Sequence, residues 1–160
     1  MDICLPVKSA KLKYPPAEQY PAKGVMSLFD TYTGTQNFKD ENWLGFHEKD
    51  LIVTADLGEM KNLHTIAVNC LKNNYSYIFM PQNITVYISE NGKDFTQVSE
   101  IDKPEIDKIS HDGINHITLK FKQVKGRYVK IVAENIEKCP KEHYAAGKPA
   151  WLFVDEILIN

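Results

Sequence analysis

Apolar residues in this chain recur at every second position and nowhere at helical spacing, and that periodicity limits what it can fold into. Residues 51–57 put Leu51, Val53, Ala55 and Leu57 on one face, and Gly58 ends the run. Residues 64–71 repeat the pattern with Ile66, Val68 and Cys70, and residues 83–89 with Ile84, Val86 and Ile88. Asn91-Gly92 then supplies a hairpin signal, with residues 95–101 as the partner strand. Ile117, Leu119 and Phe121 mark a further strand, Val129, Ile131 and Ala133 another, and residues 151–159 the last. A strand is expected around residues 10–14, before Pro15, Pro16 and Pro21 interrupt the chain. Residues 102–113 are polar and read as loop. About eight short strands separated by turns predict an all-β antiparallel sandwich or jelly roll.

The 160 residues show no break in composition, so one unit spanning 1–160 is expected, long enough to bury a real core. A net charge of −2 leaves no basic footprint for nucleic acid, and no apolar run reaches the ~20 residues of a membrane helix. The first eight residues lack the apolar stretch of a signal peptide. That predicts either a cytoplasmic chain or a module of a longer exported one. Cys4, Cys70 and Cys139 are too few and too widely spaced for a disulfide framework, and at most one bridge is expected. Cys139 and His143 have the spacing of half a zinc site, with no second half.

Residues 27–46 fit neither strand nor helix. They are rich in Asp, Asn, Thr and Gly, yet carry Phe29, Phe38, Trp43 and Phe46, which a solvated loop does not need. Asp30 offers a carboxylate and Thr35 a hydroxyl, the oxygens a hard cation collects. The same two residues also suit plain turn-capping. Two more segments, 72–82 and 137–149, interrupt the strand pattern while holding Tyr75, Tyr77, Phe79, His143 and Tyr144. Long connections with this content point to function rather than disorder.

The order of motifs resembles the discoidin, or coagulation factor V/VIII type C, domain, the fold of carbohydrate-binding module family 32. The pieces are Leu28-Phe29-Asp30, residues 42–46 around Trp43, residues 53–58, residues 86–95, residues 126–131 from Gly126-Arg127-Tyr128, and residues 151–157. Residues 77–81, with Cys139-Pro140 and residues 147–156, are similar to modules at the C-terminus of Bacteroides-type family 20 glycoside hydrolases, the chitobiases or β-hexosaminidases.

The resemblance implies a galactose-binding-like β-sandwich with a structural calcium. Its ligands, carried over by position, are the Ser27 carbonyl, Asp30, Tyr32 through its carbonyl, Thr35, the Asp155 carbonyl and Glu156. It implies sugar binding by loops at the same end, with Phe46, His47, Tyr75, Tyr77, His143 and Lys148 as candidates. Phe46 also suits core packing, and Trp43 and Trp151 read as structural anchors. Arg127 is in the wrong place to join a sugar site.

Catalysis is not expected. Glycoside hydrolysis needs two carboxyls about 5–9.5 Å apart facing one bond. Asp155 and Glu156 are strand neighbours, expected on opposite faces. The implied protein is a non-catalytic, calcium-stabilised module of a secreted glycoside hydrolase. Its partners are glycans and the parent's catalytic domain, and its location is exported, periplasmic or on the outer-membrane surface. A structural accessory domain with no soluble ligand is the alternative. Membrane insertion of the loop aromatics is disfavoured by the sparse basic residues around them.

Overall fold

The computed structural model describes residues 4–160. Its strands are β1 (Ser9–Leu12), β2 (Leu44–His47), β3 (Leu51–Lys72), β4 (Asn83–Ser89), β5 (Thr96–Ile101), β6 (Gly113–Glu134) and β7 (Trp151–Ile159). Every pairing between them is antiparallel.

β3 and β6 are 22 residues each and run through both layers of the sandwich. Their ladder slips register between Asp56 and Lys61 and again between Leu63 and Thr65. Such bulges bend and twist a strand, so one continuous pair can turn the corner between two layers. In the first layer, β3 up to Asp56 pairs with β1 and with the second half of β6, which continues to β4 and β5. In the second, the rest of β3 pairs with the first half of β6 and with β7, which carries β2. What the sequence presents as four short strands is thus two long bent ones.

The alternating residues meet where the period-2 pattern puts them. Leu51, Val53, Ala55, Ile66, Val68, Ile117 and Ile131 are fully buried in one core between the layers. Burial of each such side chain contributes about 1.5–3 kcal/mol before ordering costs. Arg127 belongs to this framework: its Nε and Nη2 donate to Asp56 Oδ1 and Oδ2 at 2.8 and 3.1 Å, where the β3–β6 register slips.

Three details differ from the sequence reading. Residues 103–109 form a helix, α1 (Lys103–Ile109), capped by the Asp102 side chain on the Glu105 N–H and carrying Pro104 in its first turn. It buries one residue, Ile106, so it shows no apolar stripe. Residues 44–47 are a strand. Between β4 and β5 the Asn91-Gly92 signal yields a longer loop, in which Asn91 Oδ1 accepts from the Lys93 and Asp94 N–H groups. Cys4, Cys70 and Cys139 are all unbridged, and burial pushes the Cys70 thiol far up.

Candidate functional site

The loop from residue 30 to 43 wraps one end of the second layer and is tied down by β7. Gly34 donates its N–H to Asp155 Oδ2 at 2.5 Å, and Thr31 donates to Glu156 Oε1 at 3.0 Å. Adjacent strand residues reach the same loop because β7 is bulged there. Asn69 pairs with Glu156 and Cys70 with Val154, leaving Asp155 as the extra residue. A bulge re-aims a side chain that regular pleating would send to the other face. The expectation of opposite faces for Asp155 and Glu156 is corrected on this point.

Trp43 completes the anchor. Its indole N–H donates to the Thr35 carbonyl at 2.7 Å, and the ring is 1% exposed. Gly34 lies against the ring so closely that a Cβ would stand 2.3 Å from Trp43 Nε1.

Both β7 carboxyls are buried, and each has one oxygen, Asp155 Oδ1 and Glu156 Oε2, with no hydrogen-bond partner. Burial pushes the Asp155 carboxyl up to about 6. Burial, with the charges of Asp30 and Asp155 beside it, pushes Glu156 up to about 8. Carboxylates stripped of water attract a cation. Asp30 and Glu156 are the kind of oxygen donor the expected calcium would take, but among the described residues no three Asp, Glu, His or Cys side chains group to hold a metal ion, so its remaining ligands would fall to carbonyls and hydroxyls. Thr35 also has turn-capping work: its hydroxyl accepts from the Asn37 N–H. The Ser27 hydroxyl accepts from Lys23 N–H, and Tyr32 is largely exposed with its N–H on Asp30 Oδ1.

Beside this loop lies an aromatic cleft of about 360 Å³. Its floor is Tyr20, Phe38, Trp151 and Phe153, packed edge to face with centroids 5.0 Å (Tyr20–Phe153), 5.3 Å (Tyr20–Trp151) and 5.8 Å (Phe38–Phe153) apart. Its wall is Tyr75, Tyr77 and Tyr144. The first two come from a short turn, Asn74–Ser76, in which the Asn73 side chain accepts from the Ser76 N–H. Tyr77 closes that turn in a left-handed conformation (φ 65°), and its carbonyl accepts from Trp151 N–H at 2.8 Å. Tyr75 is thereby thrown outward and is 82% exposed.

Tyr144 arrives from a separate loop, residues 139–148, and His143 latches the two loops together. His143 Nδ1 accepts from the Ala145 N–H at 3.0 Å, so the proton sits on Nε2, which donates to the Asn74 carbonyl at 2.6 Å. The Tyr144 hydroxyl donates to the Tyr75 carbonyl at 2.5 Å. The imidazole also packs against Tyr144 at 4.4 Å, Phe79 at 5.2 Å and Tyr77 at 5.6 Å.

Of the six residues expected to touch sugar, the fold brings Tyr75 and Tyr77 into the cleft. His143 stands behind the wall with both ring nitrogens engaged by backbone. Phe46 is corrected: its ring is 0% exposed in the main core and offers no platform. His47 stacks on Trp151, centroids 4.3 Å apart and 15° from parallel, outside the cleft lining. Lys148 acts through its backbone, which closes the 139–148 loop by bonds to Cys139 and Ala145. Tyr20, Phe38, Tyr144, Trp151 and Phe153 were not expected as site residues. Only the fold brings residues as far apart as Tyr20 and Tyr144 together.

The family model of the F5/8 type C domain matches residues 18–149, and the chain belongs to this family. No curated protein matches it by sequence. Among solved structures, it is similar to CpGH89CBM32-5 from Clostridium perfringens, in complex with GalNAc-β-1,3-galactose, with TM-score 0.63 and 18% identity over 98% of this chain and 99% of that one. The CBM32 of AlyQ in complex with 4,5-unsaturated mannuronic acid gives 0.62 and 12%, covering 99% and 98%. The C-terminal domain of a chitobiase from Bacteroides fragilis gives 0.58 and 12%, covering 99% and 97%. At these identities the likeness establishes a shared discoidin-type sandwich.

Proposed function

We propose that this chain is a non-catalytic carbohydrate-binding module whose ligand site is the cleft walled by Tyr75, Tyr77 and Tyr144. The observation that carries this reading is a concave, ring-lined surface at the loop end of the sandwich, with its outer tyrosines exposed rather than folded into the core. Aromatic faces suit the apolar side of a pyranose, and phenol hydroxyls suit its hydroxyl groups. Family membership supports it, and so do glycan complexes of similar folds.

In this reading the module belongs to a longer exported glycoside hydrolase of chitobiase or β-hexosaminidase type. It works by proximity, holding the catalytic domain near glycan and raising the local concentration of substrate. A calcium ion held by Asp30 and Glu156, with carbonyls of the same loop, would neutralise the buried carboxylates and fix the loop next to the cleft. Its task is structural.

The test is a glycan-array screen of the chain in calcium, with Tyr77→Ala and Tyr75→Ala beside it. Binding that disappears in either variant supports the reading. The second reading, an accessory domain packed on its catalytic neighbour, is favoured by the exposure of Tyr75 (82%) and Tyr144 (68%). It predicts a blank array and rings that become covered in the full-length enzyme.

A further inference from the structure

We propose that the cleft selects uncharged sugar rings, plain or N-acetylated, and rejects both free amino sugars and uronates. This rests on the carbohydrate-binding reading and narrows it to a ligand class. The rings of floor and wall are joined in the lining by Ser76 and Ile78, and no acidic or basic side chain is among them. Hydrogen bonding there falls to phenol and serine hydroxyls and to backbone, neutral groups that donate or accept but cannot balance a full charge.

Charged side chains of this end line neighbouring hollows rather than the cleft itself. Lys72, Lys103, Asp107 and Glu142 line a separate hollow of about 310 Å³ bordered by Asn74 and His143, and Lys72 and Asp112 line another that meets the cleft only at Tyr75. Lys103 is already paired with Asp107 at 3.0 Å. Among the described residues, the cation recorded against a lining ring is Lys39, with Nζ 5.9 Å from the Phe38 centroid and outside the lining. A carboxylate drawn into such a cleft gives up water for no counter-charge, and an ammonium gives it up for ring faces that return only a small part of what is lost, whereas an acetamido group or a hydroxyl loses no charge hydration. The acetamido methyl in addition has aromatic surface to cover.

The experiment is a calorimetric titration of the whole chain, in calcium, with matched pairs of methyl glycosides. The pairs are N-acetylglucosamine against glucosamine, N-acetylgalactosamine against galactosamine, and the methyl esters of glucuronate and galacturonate against the free acids. For the ring type that binds, the neutral member is expected to bind at least about tenfold more tightly than its charged partner. Raising the pH until the amine is neutral should close most of the amine gap. Ser76→Asp, which adds a carboxylate to the lining, should selectively improve the free amine.

Equal binding of charged and neutral partners through Tyr77 would overturn the selection while leaving sugar binding intact. A folded Ser76→Asp variant with unchanged amine affinity would also contradict it. Failure of every sugar would overturn the carbohydrate reading and this inference with it.

Discussion

Two single residues decide how the functional end is built. Gly34 sits where a methyl group would enter the Trp43 indole, while its N–H holds Asp155. Gly34→Ala is expected to lose about 1–3 kcal/mol in urea denaturation, with weaker calcium binding. His143 is bound at both nitrogens, Nδ1 accepting from the Ala145 N–H and Nε2 donating to the Asn74 carbonyl. His143→Ala is therefore expected to loosen residues 143–147 first. This is read as faster exchange of the Ala145 amide and faster proteolysis of that loop. An Ala145 amide equally protected in the variant would contradict the latch.

Asp155 and Glu156 give this end of the sandwich a pH-dependent stability. With no cation beside them, Asp155 and Glu156 have folded values raised to about 6 and about 8. The stability this contributes is complete below their ordinary values of 3.8 and 4.5, and drains as pH rises through the raised ones. In EDTA, melting temperature should fall between these limits. Calcium should restore it most at the alkaline end, and Glu156→Gln should lose the upper part of the pH slope, keeping the part that Asp155 sets, together with the calcium response.

At the scale of elements, the strands were legible in the sequence because period-2 alternation survives in each half of β3 and β6. Their continuity was not, since Gly58 reads as a stop and Gly126 as the entry to a new strand, and only pairing shows bulges. The helix α1 left signals, Asp102 as cap and Pro104 behind it, but its single buried residue gave no stripe to read. The loop of residues 30–43 was legible as irregular, while the convergence of Asp155 and Glu156 on it depended on a bulge no local pattern marks. Tyr75 and Tyr77 were visible as loop aromatics, and Phe46 looked like one until β2 carried it inward. Loop 139–148 contributes one wall of the cleft and is held by backbone bonds of its own, such as Gly147 N–H to the Cys139 carbonyl. Replacing residues 140–147 with a short turn is expected to leave the melting temperature within a few degrees while removing glycan binding.

At the scale of the molecule, a sandwich holds a shallow ring-lined cleft whose walls come from two latched loops and whose floor adjoins the loop of residues 30–43. Sugar binding in this cleft is tested by titration of the chain in calcium with the neutral glycans that an array selects, repeated with Tyr75→Ala. Tyr75 is 82% exposed, so its removal leaves the core packing untouched. Saturable binding by the parent is expected, with at least about a tenfold loss in the variant at unchanged melting temperature. Equal affinity in the two proteins, or no binding by a folded parent, would contradict it.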